Sequence, residues 1–132
     1  MAEDVVERVR DLFEALTDGG VDAMLPYLHA DFELITSEET ALEPGTYRGS
    51  EGLRRYFGSY DEAMGDLHFV AQSLTGSGER VLVEGVIRAT GLGSGIEVEM
   101  HGWTVITLRD AKILRIEEFP DRESAAASAN VN

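Results

Sequence analysis

A chain of 132 residues with 43% hydrophobic and 27% charged side chains has the size and balance of one soluble globular domain, not of a fibrous or disordered polypeptide. Its 25 acidic residues against 11 basic ones leave a formal charge of −14, which repels phosphate backbones and anionic lipid, so neither nucleic acid nor membrane is expected as a partner. No cysteine is present, which excludes disulfides, zinc–thiolate sites and a cysteine nucleophile, and the charged opening MAEDVVERVRDLF lacks the apolar run of a signal peptide, making a cytoplasmic location the expectation.

Val5, Val6, Val9, Leu12, Phe13 and Leu16 recur at helical spacing, with Glu3, Glu7, Arg10, Asp11 and Glu14 opposite them. That pattern predicts an amphipathic helix, stopped by Gly19-Gly20. A short second helix turns Val21, Met24, Leu25 and Leu28 inward. Residues 32–36 (FELIT) read as a strand. Residues 37–46 lack periodicity and hold Pro44 and Gly45, so they read as a loop, whose Ser37-Glu38-Glu39 could overhang a site. Ser50 and Glu51 suit the start of a third helix, one as an acceptor for free amides and the other as a charge opposing the dipole. Its stripe is Leu53, Tyr56, Phe57, Tyr60 and Met64, and Gly65 ends it. Strands follow at 67–75, 80–91, 95–109 and 112–119. Hairpin-sized turns at Gly76-Ser77-Gly78, Gly93-Ser94-Gly95 and Asp110-Ala111-Lys112 predict an antiparallel meander with helices on one face. Residues 119–132 form the C-terminal tail of this single domain.

Side chains alternate between the faces of a strand. In the third strand of the meander this sends Ile96, Val98, Met100, Gly102, Thr104, Ile106 and Leu108 inward, and Glu97, Glu99, His101, Trp103, Val105, Thr107 and Arg109 outward. In the preceding strand Val81, Val83, Gly85, Ile87 and Ala89 point in, while Leu82, Glu84, Val86, Arg88 and Thr90 point out. In the last strand Leu114 and Ile116 carry Glu118 inward with them, away from Arg115 and Glu117. A bulge before Pro120 would instead expose Glu118 and turn Phe119 in. The inner space is therefore apolar with few polar points, which suits a small hydrophobic ligand, although the same side chains would equally close an ordinary core.

The helix–strand order, "YRGSEGLRRYF" and the ending "TLRDAKILRIEEFPDRESAAA" resemble the SnoaL-like group of the nuclear transport factor 2-like superfamily. The resemblance implies an α+β fold in which a cone-shaped, curved antiparallel sheet wraps three N-terminal helices around an interior cavity. It implies a protein that binds a small hydrophobic molecule there without metal or cofactor, as an isomerase, cyclase or lyase type of enzyme. The alternative is a non-catalytic dimeric accessory or ligand-sensing module. One fold hosts many chemistries, so the site must carry the assignment.

Glu118 is the candidate catalytic residue, since a carboxylate removed from water takes the raised pKa that a general acid or base needs. Tyr27, Thr36, Tyr47, Tyr56, Tyr60, Met100, Thr104 and Phe119 are the candidate ligand-binding residues. Ketosteroid isomerase chemistry is not expected, because Thr36, Leu12 and Thr104 occupy the positions of its base, tyrosine and acid. An inward Asp-Arg-Asp set of the epoxide hydrolase kind is absent as well. His29, His68 and His101 share no ligand-like spacing, and GLGSG at 91–95 joins two strands, so it reads as a turn and not a phosphate loop. Glu97 and Glu99 share the solvated outer face. On that face Leu82, Val86, Trp103 and Val105 form an apolar cluster that predicts a homodimer, unless the C-terminal tail covers it.

Overall fold

The structure of the protein, a computed structural model, describes residues 2–37, 41 and 43–131, with the backbone alone at 2, 3 and 61–67. Helix α1 (Ala2–Gly19) ends where Gly20 adopts φ 75° and donates its N–H to the Leu16 carbonyl at 2.9 Å. Helix α2 (Val21–Met24) runs into a 3₁₀ turn, Leu25–Tyr27, and then strand β1 (Leu28–Ile35). Strand β2 (Thr46–Arg48) precedes helix α3 (Gly49–Ala63), and strands β3 (Met64–Ser77), β4 (Arg80–Gly91), β5 (Glu97–Arg109) and β6 (Lys112–Phe119) complete the sheet. Helix α4 (Arg122–Ala129) closes the chain. Among the described residues no helix is long and apolar enough to cross a membrane.

The expected elements are present with shifted bounds, and β2 and α4 are added to them, α4 where the sequence predicts only a C-terminal tail. Leu28 belongs to β1 and not to the second helix, and α3 stops at Ala63, leaving Met64 to open β3. The Tyr47-Arg48 segment, which lies between the expected loop and the third helix, pairs antiparallel with β1 as β2. The β3–β6 meander is antiparallel throughout.

The expected cone-shaped, curved sheet wrapped around three helices is not found. The strand order β2-β1-β6-β5-β4-β3 leaves β2 and β3 at two free edges, so the sheet is open, neither closed nor strongly curled. It is also mixed, because β1 runs parallel to β6, with Leu34 opposite Ile116 and Glu33 opposite Arg115. Arg115 Nε reaches Glu33 Oε1 at 2.9 Å across that register. Hairpin turns dictate only antiparallel neighbours, and a crossover pairing between distant strands needs tertiary contact. The main core lies on the face covered by α1 and α3, with Val9, Leu12, Leu53, Val81 and Ile106 almost fully enclosed.

Two details of β5 and β6 set the site. A bulge between Thr107 and Leu108 pairs Leu108 with Ile113, so Ile113 enters the core at 1% exposure in place of Leu114. The bulge absorbs one residue, and beyond it Ile116 opposes Ile106 and Glu118 opposes Thr104. At the other end of the sheet, Ile96 precedes β5 and is 66% exposed, and Val98 and Met100 are also exposed. The expectation that these three face an enclosed interior is therefore wrong, since the tip of the β4–β5 hairpin carries them into solvent. The 91–95 segment is a turn, as read, with Gly91 N–H bonded to the Ile96 carbonyl at 2.9 Å.

The outer face has its own cover. Ala125, Ala126 and Ala129 of α4 pack on Leu82 and Val105, with Trp103, Phe119 and Val131 around them. Asp121 caps the helix by accepting the Ser124 N–H at 2.8 Å, a bond that lowers its carboxyl pKa. Leu82 and Val105 are thus buried within one chain, Val86 is buried outside the α4 cluster, and the apolar face that predicts a homodimer needs no second chain to leave water.

Candidate functional site

Glu118 and Thr104 face each other on β6 and β5, on the side of the sheet that the helices cover. Helix α3 brings Tyr56 over them, because its Leu53–Tyr56–Phe57–Tyr60 stripe is the face turned to the sheet. The Tyr56 hydroxyl donates a hydrogen bond to Glu118 Oε2. Its ring is held edge-on by Tyr47, Phe57 and Tyr60, with centroids 5.5, 5.4 and 5.2 Å away. Burial first, and then the Glu118 carboxylate and Tyr60, push the Tyr56 phenol far above the ordinary tyrosine range. Tyr56 therefore keeps its proton at any physiological pH and acts as a donor, not a base.

These groups border a cavity of ≈ 70 Å³ whose other walls are Leu12, Phe13, Leu16, Met24, Leu34, Leu53, Phe57, Phe69, Ile106 and Ile116. An adjoining cavity of ≈ 70 Å³ shares Phe13, Phe69, Thr104 and Glu118 with it. A carboxylate fixed by a phenol in an apolar space can orient a ligand's hydroxyl or amine, and can take or give a proton. None of the described lining residues of either cavity is Arg or Asp, so an Asp-Arg-Asp arrangement has no place there. Among the described residues no group of three or more His, Cys, Asp or Glu is arranged to hold a metal ion.

Of the residues expected at the site, the fold brings together Glu118, Thr104 and Tyr56. Tyr60 stands behind Tyr56 as a buried neighbour and does not line the cavity. Thr36 holds backbone instead of ligand. Its hydroxyl donates to the Gly45 carbonyl at 3.0 Å and accepts the Gly45 N–H at 2.9 Å, clasping the ends of the intervening loop. Tyr47 is buried with its hydroxyl donating to the Glu43 carbonyl, and Tyr27 packs against the rim of the core, so neither lines the cavity. Met100 is displaced by its position at the exposed hairpin tip. Phe119 opposes Trp103 on the outer face and packs under α4, which settles its orientation against that of Glu118.

Leu12 of the three positions weighed for ketosteroid isomerase chemistry is fully buried and apolar. His29 Nδ1 accepts the Asp31 N–H at 3.0 Å, His101 is exposed, and Glu99 pairs with Arg88 at 2.8 Å on the outer face. Glu38 and Glu39 lie outside the described residues. The aromatic lining of Phe13, Phe57 and Phe69 was missed as site material. Phe13 and Phe57 sat on helical stripes that read as core, and Phe69 fell in a strand without clear alternation.

No curated protein matches this sequence. Solved structures do. An NTF2-like protein from Burkholderia xenovorans LB400 is 26% identical, with 98% of both chains covered and a TM-score of 0.73. An NTF2-like protein of unknown function from Burkholderia pseudomallei K96243 is 17% identical, with 97% and 98% covered and a TM-score of 0.78. TerC, co-crystallised with polyporic acid, is 22% identical, with 96% and 97% covered and a TM-score of 0.79. The SnoaL-like domain profile matches residues 9–116, which takes in most of α1, Tyr56 and the sheet up to two residues short of Glu118, and the chain accordingly belongs to the SnoaL-like family within the NTF2-like superfamily.

Proposed function

We propose that the protein binds a small, mostly apolar molecule beside Glu118 and performs metal-independent proton-transfer chemistry on it, of the isomerase, cyclase or lyase type. The observation that carries this reading is the Tyr56–Glu118 hydrogen bond inside an apolar cavity. Such reactions share one step, removal of a proton next to a group that can delocalise charge, and a desolvated carboxylate is suited to it. Tyr56 holds the carboxylate in one orientation, and Thr104 supplies a hydroxyl to position the ligand. That TerC was crystallised with polyporic acid supports a small-molecule role for a similar fold.

A ligand-sensing module without catalysis is the second reading, and the small cavity volume favours it, because a substrate needs room to change shape. Assembly as a homodimer through Leu82, Val86, Trp103 and Val105 would require α4 to leave its seat on Leu82, Trp103 and Val105, so neither reading uses it.

The test is titration with phenol, one ring with one hydroxyl, followed by NMR on wild type and Glu118→Gln. A charge-assisted hydrogen bond is worth about 1.5–3 kcal/mol, so the variant should bind phenol about tenfold or more weakly with its fold intact. Equal affinity would remove Glu118 from the site.

A further inference from the structure

A much larger cleft, ≈ 800 Å³, opens to solvent between the C-terminal half of α1 and strand β3. Its rim is polar, with Glu14, Thr17, Asp18 and His68, and its floor is apolar. Four floor residues, Phe13, Leu16, Phe57 and Phe69, also line the inner cavity beside Glu118. The cleft and the cavity are thus two sides of one partition, and three of its four members are phenylalanines. Phe57 and Phe69 meet edge-on with centroids 5.2 Å apart and form its centre.

We propose that ligand reaches Glu118 from this cleft by swinging Phe69 and Phe13 aside from Phe57, and that this aromatic partition selects narrow, planar molecules of about one ring. The inference rests on the reading above that the inner cavity is the binding site.

Three features support it. A phenylalanine has two side-chain torsions and can turn its ring without disturbing the backbone. Phe69 stands on β3, an edge strand paired only with β4, so it has more freedom than a side chain in the middle of the sheet. Phe13 and Phe69 are each only partly buried, whereas Leu34, Leu53 and Ile106, which close the cavity elsewhere, are sealed. Size agrees as well. The two cavities of ≈ 70 Å³ each share Phe13 and Phe69 as walls, so turning those two rings aside merges them into a space close to the roughly 150 Å³ that holds one benzene in an engineered apolar cavity. A slim ring fits that space, and a ring with bulky substituents on both flanks does not pass two phenylalanines in edge-to-face contact.

The experiment separates a route from a volume. Association rates of phenol and of 2,4,6-trimethylphenol are measured by NMR exchange on wild type, Phe69→Ala and Ile116→Ala. Ile116 lines the cavity but not the cleft, so its truncation adds space without opening the path. Phenol should associate at least tenfold faster with Phe69→Ala than with wild type, and only this variant should admit trimethylphenol. Ile116→Ala should change phenol affinity through its dissociation rate alone. Phe69→Leu and Ile116→Val repeat the comparison if an alanine variant unfolds.

Equal association rates in the two variants, or trimethylphenol entering wild type as fast as phenol, would overturn the partition. Failure of Glu118→Gln to weaken phenol sinks the site assignment while leaving the rate comparison readable. Phenol that binds none of the chains overturns both.

Discussion

Replacing Tyr56 by phenylalanine keeps the ring and its edge-on contacts with Tyr47, Phe57 and Tyr60, but deletes the hydroxyl that donates to Glu118. A hydrogen bond to a charged group contributes about 1.5–3 kcal/mol, so at pH 7 the variant should unfold in urea with about 2 kcal/mol less stability. At alkaline pH the difference should shrink. Folded Tyr56 retains its proton because burial, Glu118 and Tyr60 all disfavour the phenolate, whereas an unfolded tyrosine ionises near pH 10. Below about pH 10 both states hold the proton, and the group adds no pH dependence. Above it the unfolded chain binds fewer protons, and stability falls by up to about 1.4 kcal/mol per pH unit from this group alone. Tyr56→Phe removes that slope, so the two stability curves should converge within about one and a half units above pH 10. Trp103, the sole tryptophan, packs with the α4 cluster and reports unfolding by fluorescence. Parallel curves above pH 10 would refute the burial assigned to the phenol. Identical stability at pH 7 would refute the hydrogen bond.

Ala125 is fully enclosed between α4 and the sheet, so Ala125→Glu should cost more than about 3 kcal/mol and expose Leu82, Val105 and Phe119. Denaturation with sedimentation velocity would show an unstable, self-associating chain, and an unaffected monomer would mean that α4 is not docked there. Asp110 and Ala111 both sit at positive φ, 53° and 62°, in the two-residue β5–β6 turn. Ala111→Gly relieves one left-handed L-residue and should stabilise by about 1 kcal/mol, read as a higher Tm; a lower one would contradict the turn geometry.

Local chemistry in the sequence was enough to locate α1, α3 and the β3–β6 meander. The valine and leucine spacing of residues 5–16 has only one helical face to bury, and short glycine turns leave antiparallel neighbours little choice. Alternation turned both Glu118 and Thr104 to the inner face, where they lie, although the step through Leu114 was wrong and a bulge restored the phase; that the two oppose each other came from the strand register. Helix α4 had a legible signal in Asp121, Glu123 and the alanines of RESAAASA, yet alanines make a weak apolar stripe, and the segment passed for a tail.

Tertiary structure decided what depends on contacts between distant segments. The parallel seating of β1 beside β6 made the sheet mixed and brought Leu34 next to Ile116. Docking of α4 turned an apparently unpartnered face into a second core. Thr36 and Tyr47, polar and suitably placed by sequence, found backbone partners at Gly45 and Glu43, while the Tyr56 hydroxyl reached Glu118. A side chain's type states which bonds it can make. Which bond it does make is set by the groups that packing brings within reach, and those of Tyr56 and Glu118 lie dozens of residues apart along the chain.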